Sequence, residues 1–234
     1  MRARLLLALA AAAVAGTTAL PAAPASKAAA QRDWTKTVAA TPEGGFRVGN
    51  PQAPVQLIEY ASLTCPHCAE FSRDGVPRLL QDHVRSGRVS FEFRNFVLNP
   101  YDLTAALLSR CAGAADYFAV TEAMFAAQPQ WVARYTGMTA AQTGALQAAP
   151  EMERPWRIAT LGGLDALAAK GGVTVAKAKA CLVDKAAIER LVELRRIGTT
   201  THQVTATPTF VVNGVKAQAL DWATLEPLLR PPGG

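Results

Sequence analysis

The 234-residue sequence predicts an α/β fold interrupted by a large helical insertion. Short stretches with the hydrophobic pattern of strands lie near residues 55–60, 89–96 and 209–212, whereas residues 101–200 are rich in Ala and Leu, as helices are. Half of the residues are hydrophobic and 18% are charged, which argues against intrinsic disorder. A chain of this length buries a sizeable core without disulfide bonds.

The first 25 residues are predicted to be a secretory signal peptide. A short basic start precedes a compact apolar run, residues 5–15, and small residues follow it, with cleavage expected after Ala25 or, as a second candidate, within residues 28–30. The apolar run is too short to span a bilayer, and an anchoring N-terminal helix is the alternative. Export would place the cysteines where disulfides persist.

The net charge offers no sign of a nucleic-acid partner. It falls from +6 to +4 once Arg2 and Arg4 are removed with the leader. The other basic residues are scattered, with only Arg195 and Arg196 adjacent. A surface that follows a phosphate backbone is therefore not expected.

The elements of the first half follow from local patterns. Residues 26–54 predict a loose tether and then an edge hairpin or extended arm, because short β-like stretches alternate with Gly and Pro turn signals. Residues 55–60 are apolar nearly throughout and predict a central strand. Residues 66–82 predict a helix, and the alternating residues 89–96 predict a second strand.

The C-terminal part returns to strand patterns after the helical stretch. Residues 209–212 predict a strand, and Asn213-Gly214 is the strongest hairpin signal in the chain. Residues 221–229 predict a terminal helix with Asp221 as its N-cap. The chain thus divides into a signal peptide (1–25), an N-terminal arm or hairpin (26–54), the α/β domain (55–100 and 201–230) and the helical insertion (101–200).

Cys65, Pro66, His67 and Cys68 stand where the first predicted strand meets the first predicted helix. Cys65 would lie at the helix N-terminus, where free N–H groups stabilise a thiolate, and Cys68 one turn inside. Pro66 suits the first helical position, and His67 can place a positive charge or a donor beside the Cys65 sulfur. A fall of the Cys65 pKa from about 8.5 to about 4.5 would stabilise the reduced form by roughly 3.4 kcal/mol at pH 7, which is about 70 mV. Such a site donates its disulfide readily.

Other interpretations of this motif fit less well. A zinc site needs a second ligand pair, which the remaining cysteines and histidines do not form in the sequence. Covalent haem attachment requires a histidine directly after the second cysteine, where this chain has Ala69. A purely structural disulfide is a further alternative, and the strand-to-helix placement argues against it. We expect neither a metal nor a cofactor.

The motif at residues 65–68, the strand before it, the long helical insertion and Thr207-Pro208 together resemble the DsbA family of periplasmic thiol:disulfide oxidoreductases, whose fold is thioredoxin-like. The resemblance covers nearly the whole mature chain. It implies that Cys65 is the nucleophile and Cys68 the resolving cysteine. It also implies that Pro208 is a cis-proline beside the disulfide, where Thr207 offers backbone hydrogen bonds to an extended substrate strand.

Glu59 lies six residues before Cys65 in the most apolar strand. A carboxylate there is costly without a partner or a task. The resemblance implies that Glu59 assists proton transfer at Cys68, and an edge residue reaching solvent is the alternative. We expect Arg94 to be its counter-charge.

Cys111 and Cys181 are 70 residues apart within the predicted insertion. An exported protein has reason to pair them, so we expect a structural disulfide worth about 4 kcal/mol in the chain-entropy model. The alternative is two buried free thiols that behave as small hydrophobic side chains.

The sequence therefore predicts an enzyme that oxidises exported, unfolded proteins in the periplasm of a Gram-negative bacterium. The resemblance implies reoxidation by a membrane quinone-linked partner of the DsbB type, and we expect a monomer. A disulfide isomerase or reductase held reduced is one alternative, which Thr207 leaves open but the short N-terminal arm, without room for a dimerisation domain, disfavours. A non-redox periplasmic chaperone is the other.

Overall fold

The computed structural model describes residues 32–230, so the predicted signal peptide and residues 26–31 of the predicted arm lie outside the described residues. The strands are β1 (Val38–Ala40), β2 (Phe46–Gly49), β3 (Val55–Ala61), β4 (Val89–Asn95), β5 (Thr209–Val212) and β6 (Val215–Lys216). They form one mixed sheet in the order β1-β2-β4-β3-β5-β6. The predicted edge hairpin is confirmed, since β1 pairs antiparallel with β2 at one side of the sheet.

Helices flank this sheet and fill the long connection between β4 and β5. They are α1 (Pro66–Asp74), α2 (Val76–Arg78), α3 (Pro100–Cys111), α4 (Tyr117–Ala126), α5 (Gln128–Thr136), α6 (Ala140–Gln147), α7 (Arg154–Gly162), α8 (Leu164–Lys170), α9 (Val175–Leu182), α10 (Lys185–Thr201) and α11 (Trp222–Leu225). A π-helical segment, Leu79–Val84, continues α1 and α2, so the predicted first helix is confirmed. The order agrees with a thioredoxin-like fold that carries a helical insertion.

Strand β3 lies at the centre, parallel to β4 and antiparallel to β5. Its pleat directs alternate side chains to opposite faces of the sheet. Glu59 is in register with Phe93 of β4 and Phe210 of β5. Phe210 packs against Phe71 of α1, and Phe93 packs against Phe125 of α4. The face that carries Glu59 is therefore covered by α1 and α4.

The opposite face of β3 is covered by α10. Tyr60 points to this side, and its hydroxyl is 2.8 Å from Nδ1 of His202, just after α10. The same helix comes so close that a Cβ on Gly198 would lie 3.0 Å from the Tyr60 ring. Every residue of β4 is buried, so the alternation seen in its sequence separates two buried faces rather than a buried face from an exposed one.

The C-terminal elements agree with their sequence signals. Asn213 and Gly214 both have positive φ, 49° and 82°, which is the backbone that an Asn-Gly hairpin turn requires. Asp221 caps α11 by accepting the N–H of Thr224 at 2.9 Å. Among residues 32–230, no helix is long and apolar enough to cross a membrane.

Candidate active site

The motif at residues 65–68 begins helix α1, as predicted. Cys65 is the N-cap residue, with an extended backbone, and Pro66 occupies the first turn. The Cys65 side chain makes no capping hydrogen bond of the usual kind. Its sulfur stands where the oxygen of a Ser, Thr or Asp cap would stand, so the free N–H groups of the first turn favour negative charge on it.

The pKa values of the two motif thiols are shifted in opposite directions. Cys65 and Cys68 are free thiols, 9% and 0% exposed. The hydrogen bond from Cys68 is the largest cause that lowers the pKa of Cys65 to about 5, and Thr207 and two backbone N–H groups add to it against the effect of burial. Burial raises the pKa of Cys68 well above its ordinary value. At neutral pH the pair therefore holds one thiolate, on Cys65, and one thiol, on Cys68.

The loop before β5 brings Thr207 to this sulfur. The Thr207–Pro208 peptide bond is cis, and Pro208 is buried. The Sγ of Cys65 donates a hydrogen bond to the carbonyl oxygen of Thr207 at 3.2 Å. Only the thiol makes this contact, because a thiolate has no proton to donate, whereas the Thr207 side chain favours the thiolate. Thr207 thus accepts a hydrogen bond from the thiol through its carbonyl oxygen, and its side chain lowers the pKa of that thiol.

The imidazole of His67 makes its hydrogen bond with Glu70 rather than with the cysteine pair. It is exposed, and its Nδ1 lies 3.0 Å from a carboxylate oxygen of Glu70. The Glu70 hydrogen bond is the main reason that the pKa of His67 is raised. His67 acts on Cys65 through its backbone N–H, which lowers the pKa of the thiol. A positive charge on the His67 imidazole is therefore paired with the Glu70 carboxylate, a contact that the sequence analysis missed.

Glu59 is buried behind the cysteine pair, with 2% of its surface exposed. Burial, and then the neighbouring Cys65, raise the pKa of its carboxyl well above the ordinary value. Its Oε1 atom has no hydrogen-bond partner within residues 32–230. A proton on this carboxyl at neutral pH fits its surroundings, because burial without a counter-charge disfavours the carboxylate.

Arg94 is not the counter-charge of Glu59, and that prediction is wrong. Because Glu59 is in register with Phe93, Arg94 is in register with Tyr60 and points to the other face of the sheet. There the guanidinium donates to Glu92 at 2.7 Å and to the Tyr60 hydroxyl at 3.1 Å. The expected pairing fails by one step of the strand.

Gln128 is a site residue that the sequence analysis missed. It lies at the start of α5 in the helical insertion, and it is buried. Its Nε2 donates to the carbonyl oxygens of Leu63 and Cys65, both at 2.8 Å. The insertion therefore holds the backbone that leads into the motif, and no local pattern around Gln128 indicates this contact.

Asp102 holds the same loop from α3. Its carboxylate accepts the N–H of Leu63 at 2.8 Å and that of Leu98 at 2.9 Å. Burial raises the pKa of Asp102 to about 6 in spite of these bonds. The signal that could have found it is the helix start, where Asn99 caps the N–H of Asp102 at 2.9 Å.

Cys111 and Cys181 lie apart from the motif, at the end of α3 and in α9. Their sulfurs are 2.07 Å apart, and their Cα atoms are 6.0 Å apart. This disulfide connects α3 to α9 within the insertion. Within the described part of the chain, no three His, Cys, Asp or Glu side chains form a group that could hold a metal ion.

A family model described as Thioredoxin matches residues 41–230. Among curated proteins, a Rickettsia bellii protein named "Putative protein-disulfide oxidoreductase" is 27% identical over 179 residues, which is 75% of this chain and 60% of that protein. A Rickettsia prowazekii relative of the same name is 32% identical over 84 residues and is covered over 31% of its length. The chain therefore spans less than two thirds of these curated relatives.

Solved structures agree over a larger share of the chain. The protein-disulfide isomerase of Novosphingobium aromaticivorans is 30% identical with a TM-score of 0.73, and the match covers 78% of this chain and 94% of that one. Wolbachia pipientis alpha-DsbA1 is 25% identical with a TM-score of 0.64, and the match covers 81% of this chain and 91% of that one. Both matches include more of this chain than the sheet and its flanking helices alone, so they extend into the helical insertion.

Proposed function

Because the chain belongs to the thioredoxin family and has the DsbA-like architecture of its solved relatives, we propose that it is a protein dithiol–disulfide oxidoreductase. In this proposal, Cys65 and Cys68 form a disulfide that passes to pairs of thiols in exported, unfolded proteins. The names of the relatives that match, a protein-disulfide oxidoreductase and a protein-disulfide isomerase, support this class of reaction.

The observation that carries the proposal is the asymmetry between the two thiols. The pKa of Cys65 is lowered to about 5, whereas that of Cys68 is raised. A stable Cys65 thiolate favours the reduced protein and so makes the disulfide more oxidising. It also makes Cys65 the better leaving group when a substrate is released.

The reaction consists of two exchanges. A substrate thiolate attacks Sγ of Cys65, the Cys65–Cys68 bond breaks, and the Cys68 sulfur leaves with the electron pair. A second substrate thiolate then attacks the substrate sulfur of this mixed disulfide and releases Cys65 as a thiolate. The substrate has lost two electrons to the protein, which is now a dithiol.

Glu59 serves the first exchange as a proton donor. Cys68 cannot remain a thiolate, because burial raises its pKa well above the ordinary value. Glu59 is buried beside the pair, and its own raised pKa keeps a proton on the carboxyl. When the protein is reoxidised, the proton returns from Cys68 to Glu59 as Cys68 attacks the sulfur of Cys65.

Thr207 and Pro208 form the place where an extended substrate would bind. The Thr207 carbonyl oxygen lies 3.2 Å from the Cys65 sulfur, so a substrate cysteine bonded to Cys65 would lie beside this backbone. Main-chain contacts carry little sequence preference, which suits a broad set of unfolded substrates. His67 completes the motif at the exposed side of the helix start.

We also propose where the protein acts and what reoxidises it. Residues 1–25 serve as the signal peptide, and the mature chain works as a monomer in the periplasm of a Gram-negative bacterium. A membrane quinone-linked partner of the DsbB type reoxidises Cys65 and Cys68, and no metal or cofactor takes part. Cys111 and Cys181 form a structural disulfide, which their position on two helices 70 residues apart in the sequence supports.

The test is the oxidation of reduced, denatured ribonuclease by the oxidised protein, followed as loss of free thiols. We expect one substrate disulfide per protein and no reaction with Cys65→Ser. Cys68→Ser has no disulfide to donate, but when its Cys65 thiolate attacks a disulfide of scrambled ribonuclease, we expect the mixed disulfide to stay trapped because the resolving thiol is absent. Equal rates for Cys65→Ser and the unchanged protein would overturn the proposal.

A disulfide isomerase is the second candidate, because the solved relative from Novosphingobium carries that name. Scrambled ribonuclease separates the two activities. An isomerase held reduced restores ribonuclease activity from the scrambled form faster than it oxidises the reduced form, and we expect the reverse order of rates.

A further inference from the structure

Two buried oxygens that lack partners line one small cavity. Glu59 reaches it from β3, and Thr121 reaches it from α4 of the helical insertion. Neither Oε1 of Glu59 nor Oγ1 of Thr121 makes a hydrogen bond to any described residue from 32 to 230. A buried polar atom left unpaired costs roughly 1–3 kcal/mol. Two such atoms at one cavity indicate a shared partner.

The hydroxyl of Thr121 departs from the usual behaviour of threonine in a helix. Helical Ser and Thr commonly donate to the carbonyl four residues earlier. Thr104, Thr160 and Thr199 do so, with oxygen–oxygen distances of 2.9, 3.1 and 2.9 Å. Thr121 is 2% exposed and makes no such bond to the described chain. Its hydroxyl lies near that of Tyr117, where it counters the rise of the Tyr117 pKa, and Oγ1 can still accept a hydrogen bond from the cavity.

The cavity has the size of one water molecule. About 10 Å³ of it is open to a water-sized sphere, which is close to the minimum that a single water needs. Its polar lining consists of Glu59, Ser72, Thr121 and Glu122, and a buried water requires two to four polar partners. The remaining walls are apolar, so a water here would be held by these groups alone.

The cavity adjoins a groove of about 500 Å³ at the surface. Ser72, Val76, Glu122 and Phe125 line both spaces. Glu122 keeps part of its surface exposed to solvent, while partial burial raises the pKa of its carboxyl. A carboxyl with access to solvent and a raised pKa therefore stands between the cavity and bulk water.

We propose that Thr121 and Glu122 form a proton path between Glu59 and solvent. One water in the cavity is held by Oε1 of Glu59 and Oγ1 of Thr121 and exchanges protons with the carboxyl of Glu122. The path rests on the proposed function, in which Glu59 exchanges a proton with Cys68. Thr121 is a positioning residue here, since it holds the water without contact with the reacting sulfurs.

The proton balance follows the first thiol exchange. When the Cys65–Cys68 bond breaks, the Cys68 sulfur keeps the electron pair and takes the proton of Glu59. The Glu59 carboxylate then takes a proton from the water, which recovers one from Glu122, and Glu122 is protonated again by solvent. Reoxidation of the dithiol moves one proton the opposite way.

The test is a single-turnover reduction of the disulfide by a reduced dithiol peptide, followed between pH 5 and 9 in Thr121→Val, Thr121→Ser and Glu122→Gln. General acid–base catalysis typically accelerates a reaction by about 10² to 10⁴. We expect the single-turnover rate of Thr121→Val to be about tenfold lower than that of the unchanged protein. Thr121→Ser keeps the hydroxyl and restores the rate. Glu122→Gln moves the pH profile. The matched control is Thr160→Val, which changes neither the rate nor the pH profile, because the Thr160 hydroxyl bonds to its own helix.

The path also predicts coupling between residues. In a Glu59→Gln background, Thr121→Val causes no further loss, because the water no longer feeds a proton donor. A merely structural effect of Thr121→Val would persist in that background. The solvent deuterium isotope effect rises in Thr121→Val and returns to the original value in Thr121→Ser.

The outcomes separate this inference from the proposed function. If Glu59→Gln slows the reaction but Thr121→Val and Glu122→Gln leave rate and pH profile unchanged, the path is wrong and the function stands. If Cys65→Ser still turns over, the function itself is wrong. Should Thr121→Val fail to fold, Glu122→Gln decides alone, and an unchanged pH profile in that variant overturns the path.

Discussion

The two cysteine pairs of this chain differ in their surroundings. Cys65 and Cys68 lie at the first turn of one helix, where one sulfur meets free N–H groups and the other is fully buried. Cys111 and Cys181 lie on two helices of the insertion, 70 residues apart in the sequence. The first pair is built from unequal sulfurs, and the second joins distant segments.

This difference shows what decides the role of a cysteine pair. A short ring adds little constraint to the unfolded chain, whereas a long one constrains it strongly. Unequal acidities matter for exchange, since they define the attacking and the leaving sulfur. The motif pair is therefore suited to thiol–disulfide exchange, and the insertion pair is suited to stabilising the fold.

The largest expected effect belongs to the insertion pair. The double variant Cys111→Ala/Cys181→Ala should lose about 4 kcal/mol of unfolding free energy, as the chain-entropy model gives for a loop of this length. Urea denaturation measures the loss, and the rate of substrate oxidation at 20 °C should stay the same. An unchanged stability, or four alkylated thiols in aerobically purified, denatured protein, would contradict the structural disulfide.

The acidity of the motif pair gives the next effect. With a Cys65 pKa of about 5, alkylation of the reduced protein should pass its midpoint near pH 5 and level off about one to two pH units higher. At pH 5.5 the larger thiolate fraction outweighs the lower nucleophilicity, so Cys65 should react about 20-fold faster than an ordinary thiol. Cys68 should react more slowly still, because burial raises its pKa.

Mass spectrometry of the alkylated peptides reads both cysteines in one experiment. The reduced Cys68→Ser variant is the control, since it also shows how much Cys68 contributes to the acidity of Cys65. Equal labelling of Cys65 and Cys68 at pH 5.5 would contradict the unequal acidities of the two motif cysteines.

The smallest effect tests how the insertion supports the motif. Gln128→Leu removes the donor to the carbonyls of Leu63 and Cys65, and we expect a loss of about 1 kcal/mol in stability with a severalfold slower oxidation. Gln130→Leu, at an exposed position of the same helix, is the matched control. A loss of stability at unchanged rate would limit Gln128 to a structural role.

Local features of this site could be read from the sequence. The Cys-x-x-Cys motif at a strand-to-helix junction and the Asn213-Gly214 turn depend on neighbouring residues only, and the structure has both. Glu59 stood out because a carboxylate in an apolar strand needs an explanation.

Features that depend on pairing between distant segments could not be read in this way. Arg94 lies on the other face from Glu59 because of the register between β3 and β4, and a shift of one residue would have reversed that result. Gln128 and Asp102 reach the loop before Cys65 from the insertion, 63 and 39 residues away from their partners. Only the packed fold brings them there.

The reduction potential of the Cys65–Cys68 pair tests the central claim most directly. Equilibration of the protein with defined mixtures of reduced and oxidised glutathione, followed by acid quenching and thiol alkylation, gives the value. A thiolate-stabilised Cys65 predicts a potential well above the about −270 mV of thioredoxin. A potential at or below that of thioredoxin would contradict the account, because a pair with such a potential would act as a reductant rather than as a disulfide donor.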